Sequence, residues 1–213
     1  MAKRWLFRID FCRRRGISQP VMGMKILILD GCAAEHLTAA RQVAWLAGVG
    51  RDRGWSVATL TLRSLKIAPC TGCFGCWLRT PGICLMDDDG REVLRQMMQH
   101  DGVVMVTPVT FGGYSALLKY ALDRIIPMIS PFFATVGGET HHRLRYKRQP
   151  RFAVVGVTSD DDAEEAQVFR TLVARNALNW HEQRPTLTLL RTDATETDSR
   201  RTMQAMFDTA GWA

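Results

Sequence analysis

Four of the six cysteines in this 213-residue chain fall within "PCTGCFGCWLRTPGIC", between Pro69 and Cys84. Their spacing is Cys70-x2-Cys73-x2-Cys76-x7-Cys84. Thiolates are soft ligands, and at consecutive x2 intervals they can wrap a [4Fe–4S] cube. Gly72 and Gly75 give such a loop the tight turns it needs. Three other readings stand beside this one. Zinc more often takes two Cys-x2-Cys pairs held apart by a longer spacer. A Cys-x-x-Cys pair can act as a thiol switch, because that spacing lowers a thiol pKa. The four thiols can also be plain residues of a structural loop. Cys12 and Cys32 stand alone.

The elements around this stretch must position it. "KILILDG" (25–31) is an apolar run ending in Asp-Gly, as a buried strand does, and 37–54 has helical spacing closed by glycine. "WSVATLTL" (55–62) predicts a second strand, and the cysteine stretch follows it as loop. Helix is expected over 87–100, strand over 101–110 up to Pro108, and amphipathic helix over 114–126. A fourth strand is expected at 151–159, a helix with acidic residues at its start at 161–180, a fifth strand at 185–192 and a last helix at 197–212. Strands alternating with helices predict a parallel sheet covered on both faces. Five such strands suit the flavodoxin-like doubly wound α/β fold of order 2-1-3-4-5. Ligands of that fold sit at the carboxyl ends of the strands, where the order reverses. The loops there are 31–38 and 107–113. The cysteine loop, which follows strand two, is expected to open on the same crevice.

Composition sets the outer limits. An apolar content of 46% and a charged content of 23% suit a soluble globular chain, and no apolar run reaches the ~18 residues of a membrane span. The net charge of +7 is uneven. Residues 1–23 carry six Lys and Arg against Asp10 alone, so the remainder is close to neutral. That distribution gives no warrant for nucleic-acid binding. Residues 1–23 read as a basic extension outside the fold, with 24–213 as one domain. "RRRGIS" has the two arginines of an export signal but no adequate apolar segment after it. The expectation is a cytoplasmic chain with reduced thiols, where a structural disulfide is disfavoured.

"PCTGCFGCWLRTPGICLMDDDG" followed by "VTPVTFGGYSALLKYALDR", in this frame, resembles the NADPH-dependent FMN reductase and iron–sulfur flavoprotein superfamily over roughly 25–159. The resemblance implies FMN at the strand ends, NAD(P)H as co-substrate, and a homodimer or homotetramer with the flavin near a subunit interface. It assigns Thr107, Pro108, Val109, Thr110, Phe111, Gly112 and Gly113 to the loop against the isoalloxazine ring. The physics agrees, since glycines let backbone approach a flat ring and N–H groups can bond its nitrogens and carbonyls. A plain strand-to-helix turn uses the same residues. It also assigns Gly31, Cys32 and Thr38 to the phosphate loop, with departures. Relatives carry Gly-Ser-Pro-Arg there, whereas "GCAAEHLTAA" has Cys32 in the serine place, lacks the arginine, and brings Thr38 about one residue early. A helix N-terminus still suits a phosphate, though Glu35 does not. An ordinary βα turn remains the alternative. The fourth thiol, Cys84, fits the compact motif of iron–sulfur flavoproteins, which makes Cys70, Cys73, Cys76 and Cys84 the ligand set of a [4Fe–4S] cluster.

Other candidates have plainer readings. Asp87, Asp88 and Asp89 precede a helix, where capping explains them better than a metal site or an acid–base pair. "GETHHRLRYKR" (138–148) reads as a polar basic loop. His141 and His142 are adjacent and point to opposite sides of an extended chain. Arg143, Arg145, Lys147 and Arg148 either meet an NADPH phosphate or are solvated. The leading expectation is an FMN-dependent NAD(P)H oxidoreductase passing electrons to a quinone, a small electrophile or a protein acceptor. The alternatives are a flavin and iron–sulfur electron-transfer module, and a cofactor-free binding protein on the same frame.

Overall fold

In the computed structural model, which describes residues 23–159, 162–182 and 186–212, the apolar runs form one parallel sheet. Its strands are β1 (Lys25–Asp30), β2 (Ser56–Thr61), β3 (Gly102–Pro108), β6 (Arg151–Thr158) and β7 (Thr186–Arg191), in the order β2-β1-β3-β6-β7. The two intervening strands, β4 (Ile129–Val136) and β5 (Glu139–Leu144), pair only with each other. Without that hairpin the order is the expected 2-1-3-4-5, with β6 and β7 as fourth and fifth strands. The basic extension lies outside the described residues, apart from Gly23.

The alternation of side chains in a strand sorts the core into two layers. Ile26, Ile28, Val104, Val106, Ala153 and Val155 face α1 (Leu37–Asp52) and α6 (Glu196–Thr209). Leu27, Leu29, Val103, Met105, Phe152 and Val154 face α3 (Gly90–Gln99), α4 (Ala116–Asp123) and α5 (Ala163–Asn179). β3 is buried along its whole length, as the middle of a doubly covered sheet must be. The short α2 (Gly75–Leu78) lies inside the cysteine stretch.

The hairpin corrects one expectation. Residues 138–148 are not a loop; their first part is β5, antiparallel to β4. Gly137 and Gly138 turn it with φ of 59° and 84°, the left-handed pair that a two-residue hairpin requires. The hairpin lies against α5: Arg175 pairs with Glu139, His141 Nδ1 meets Asn179 Oδ1 at 3.0 Å, and His181 Nε2 meets the His142 carbonyl at 2.8 Å. His141 and His142 do point apart. His142 lies between Trp77 and Phe133 with ring centroids 4.8 Å from each, tilted against the first and stacked on the second. Arg143 and Arg145 donate to the carbonyls of Phe133 and Pro127, at 2.8 and 2.9 Å, and Arg148 pairs with Asp101.

Candidate functional site

β1 and β3 end side by side. Asp30 is in register with Val106, and the Gly31 N–H donates to the Val106 carbonyl at 2.9 Å. The loops beyond are tied together by Ser115. Its Oγ donates to the Gly31 carbonyl at 2.6 Å and accepts from Leu118 N at 3.2 Å, capping α4. Its N–H donates to Thr107 Oγ1 at 2.9 Å, and that hydroxyl donates to the Pro108 carbonyl at 2.9 Å. Gly31 has no room for a side chain, since a Cβ would lie 2.8 Å from Leu118 Cβ and 3.0 Å from the Val106 oxygen. Gly31, Thr107 and Pro108 are all buried. Their side of the work is the frame of the crevice.

The solvent side of the second loop is Val109, Thr110 and Phe111. Thr110 and Gly113 exchange backbone hydrogen bonds of 3.1 and 2.9 Å, closing a tight turn. Glu165 Oε1 accepts from Gly112 N at 3.1 Å and fixes that turn to α5. Phe111 sits at its tip with φ 49° and is 96% exposed. A bulky residue in the left-handed region costs about 1–2 kcal/mol, and an aromatic ring in water forgoes burial as well. Among the described residues no contact offsets this.

The first loop, 31–36, divides in the same way. Cys32 is fully buried, its N–H donates to Asp30 Oδ1 at 3.0 Å, and burial pushes its thiol far above the usual range. Neither group is free for a ligand, so Cys32 supports the loop from behind. The backbone N–H groups of Ala33, Ala34 and Glu35 meet no acceptor among the described residues, and the first turn of α1 adds orphan N–H groups. Thr38 is exposed on that turn. His36 holds the N-cap position of α1 without capping it. These donors fit a phosphate, and the turn at 110–113 fits a flat ring. Arg63, in the single 3-10 turn after β2, reaches this loop as well: its Nη1 donates to Asp30 Oδ2 at 2.7 Å and to the Cys32 carbonyl at 3.2 Å.

The thiols do not share the crevice. Cys70, Cys73, Cys76 and Cys84 line one cavity of about 550 Å³ on the α4–α5 face, together with His142, Phe152, Asn176 and Trp180. None of residues 31–38 or 107–113 lines it. The cause is Arg124, just past the end of α4 and nine residues (about 13 Å along a helix) from Ser115. Its guanidinium, 2% exposed, donates to both oxygens of Asp88 at 2.7 Å, to the Ala68 carbonyl at 2.8 Å and to Cys84 Sγ at 3.3 Å. One buried cation thus pins both ends of the cysteine stretch to the base of α4. Trp77 holds its middle, donating to the Ile129 carbonyl at 3.0 Å and stacking on Phe74 at 5.0 Å.

The aspartates act mainly across the loop, and Asp89, at the N-cap position of α3, makes no side-chain capping bond. Asp88 accepts from Gly90 N and Ala68 N, at 3.0 Å each, and Asp89 Oδ2 accepts from Lys66 N at 2.7 Å, so they brace the loop against α3. Cys73 is exposed and its thiol is held below the usual range, first by a hydrogen bond with the Gly75 backbone. Cys76 is buried, and its thiol is raised by burial and then by Cys84. An all-thiol donor set around one cavity fits a cube cluster in chemistry and in room. Among the described residues no three His, Cys, Asp or Glu side chains are gathered closely enough to hold a metal ion. Arg63, Arg124 and Trp77 are residues to which sequence reasoning gave no role. Their roles come from contacts 31 to 65 positions away, which leave no local signal.

A doubly wound sheet with two glycine-bearing loops knotted at its switch point defines a flavodoxin-like protein. The NADPH-dependent FMN reductase family profile matches residues 24–167, and the chain belongs to that family. It is similar to an iron-sulfur flavoprotein of Methanosarcina thermophila, 30% identical over 111 residues covering 52% of this chain and 57% of that one. It is also similar to an iron-sulfur flavoprotein of Methanocaldococcus jannaschii, 36% identical over 105 residues covering 49% and 53%. The chain spans about half the length of these curated relatives. Among solved structures, an NAD(P)H:quinone oxidoreductase from Methanothermobacter marburgensis superposes with a TM-score of 0.62 at 12% identity, covering 85% of this chain and 98% of that one. An FMN-dependent NADH-azoreductase from Bacillus anthracis superposes with a TM-score of 0.57 at 13% identity, covering 88% and 98%. At those identities the likeness is one of fold.

The Arg124–Asp88 pair gives a pH signature. Hydrogen bonds from Arg124 hold the Asp88 carboxyl below the usual range. A carboxylate depressed on folding contributes stability that is full above its unfolded pKa, about 4, and is lost as pH falls through the lower folded value. The stability difference between the protein and Asp88→Asn, measured by denaturant titration, is therefore largest above pH 5 and shrinks below pH ~4. A difference constant across that range would contradict the assignment.

Proposed function

We propose that the chain is an FMN-dependent NAD(P)H oxidoreductase whose flavin lies across the crevice formed by residues 31–38 and 107–113. The observation that carries this reading is the arrangement of that crevice: unpartnered backbone N–H groups at one loop and an exposed, left-handed aromatic turn at the other, joined through Ser115. Membership of the NADPH-dependent FMN reductase family supports it. Bound FMN supplies hydride acceptance and the return of electrons to an acceptor. The chain's own residues bind and orient. The amides of Ala33 to Glu35 and the first turn of α1, with Thr38, hold the phosphate. The backbone N–H of Phe111, which meets no acceptor among the described residues, and the surface of Val109 and Thr110 set the ring. Glu165, whose Oε1 accepts from Gly112 N at 3.1 Å, is a titratable side chain at the turn of the second loop. The acceptor is a quinone, a small electrophile or a protein in a reducing compartment, and the exposed Phe111 ring suits a subunit interface of a homodimer or homotetramer.

A second reading rests on the thiols. Four cysteines around one cavity, with Arg124 against Cys84, suit an electron-transfer protein in which Cys70, Cys73, Cys76 and Cys84 hold a [4Fe–4S] cluster. The similarity to iron-sulfur flavoproteins supports that donor set.

Anaerobic purification followed by absorbance, flavin, iron and sulfide assays separates these. The oxidoreductase reading expects about one FMN per chain, with a two-band flavin spectrum that NAD(P)H bleaches. About four irons per chain with slow NAD(P)H oxidation favour the second reading. A colourless protein that takes up no added FMN contradicts both. Phe111→Gly removes the ring and relieves the left-handed backbone. It is expected to weaken FMN binding, read by fluorescence titration, while denaturant stability stays unchanged or rises by up to about 1 kcal/mol. A loss of stability with unaltered FMN binding would contradict this role for the turn.

A further inference from the structure

The loop at 31–38 has a charge problem. Its sequence, GCAAEHLT, contains no lysine or arginine, and Glu35 adds a negative charge. Directly behind it Asp30, a carboxylate 3% exposed, adds another. The N-terminus of α1 supplies only about half a positive charge. A phosphate monoester is close to a dianion at neutral pH, so these groups alone hold it weakly. The structure brings a cation from a different strand. Arg63 follows β2, the neighbour of β1, and its guanidinium leans on the loop through Nη1, which donates to Asp30 Oδ2 at 2.7 Å and to the Cys32 carbonyl at 3.2 Å. Nη2 and Nε meet no acceptor among the described residues, and the side chain is 39% exposed. Nη1 is thus spent on anchoring, and the Nε–Nη2 edge carries no partner among the described residues. A guanidinium held in this way is pre-organised for the planar two-point recognition of a phosphate.

We infer that Arg63 is the phosphate-binding cation of this site, replacing in space the arginine that the loop lacks in sequence. The inference rests on the flavin reading above and names the residue that distinguishes FMN from its unphosphorylated form. Asp30 has two parts in it. It orients the guanidinium, and it draws off some of the charge that the phosphate would otherwise feel.

The test is the affinity for FMN set beside that for riboflavin, measured by fluorescence titration on the flavin-free full chain. The wild type is expected to prefer FMN. Arg63→Met, which keeps the apolar stem, is expected to lose about tenfold to a hundredfold in FMN affinity, as for a lost charge-assisted hydrogen bond, with riboflavin affinity unchanged. Arg63→Lys keeps part of the preference. Asp30→Asn keeps an acceptor for the Cys32 amide and removes the counter-charge, so FMN affinity holds or rises. Where Arg63→Met leaves the buried Asp30 charge unpaired and the chain fails to fold, the Asp30→Asn/Arg63→Met double variant is expected to show the same FMN-specific loss. Unchanged FMN affinity in Arg63→Met, or an equal loss for both flavins, overturns the inference and leaves the flavin reading standing. A wild type that binds both flavins equally does the same. A wild type that binds neither flavin overturns the flavin reading itself, and this inference with it.

Discussion

The contact between Gly31 and Ser115 sets the geometry of the strand-end crevice. A serine hydroxyl bonds a carbonyl 84 positions away and caps α4 at the same time, so the two loops that leave β1 and β3 cannot move independently. The contact is possible only because Gly31 has no side chain; any Cβ there would run into Leu118. Thr107 extends the knot from the other side and is itself fully buried. The exposed parts of the crevice, the amides after Cys32 and the turn at Phe111, are carried on this rigid frame. That division of labour, with buried residues fixing the loops and exposed ones facing a ligand, is what pre-organisation at a binding site requires.

A second buried interaction decides where the thiols go. An arginine 2% exposed is costly unless its donors are met, and both terminal nitrogens of Arg124 are met on Asp88, Ala68, Cys84 and Met86, while its Nε finds no partner among the described residues. The cysteine stretch is therefore folded down onto the base of α4, away from the crevice at α4's start. The strand-end crevice thus lies at the N-terminus of α4 and the thiol cavity at its C-terminus.

Much of this could be read from the residues. The sheet order followed from five short apolar runs separated by helical spacing, because runs such as VVMV (103–106), rich in β-branched residues and bounded by Gly102 and Pro108, are too short for buried helices. The crevice loops followed from the topology. What escaped was tertiary. The hairpin was hidden because β5, "ETHHRL", is polar on both faces and β4 contains Pro131, so only the Gly137–Gly138 turn marked it. The cysteine loop follows β2 and was expected at the crevice; the guanidinium that holds it elsewhere lies 40 positions beyond Cys84. Arg63 carried no motif at all, and its meaning comes from Asp30, 33 positions earlier and one strand over.

Hydrogen–deuterium exchange of the flavin-free chain, with and without saturating FMN, tests the central claim that the cofactor site is the crevice at Gly31–Ser115 and is separate from the thiol cavity. Protection is expected in residues 31–39 and 107–115, with exchange in 70–84 unchanged. Protection confined to 70–84, or shared equally between that segment and the two loops, would contradict it.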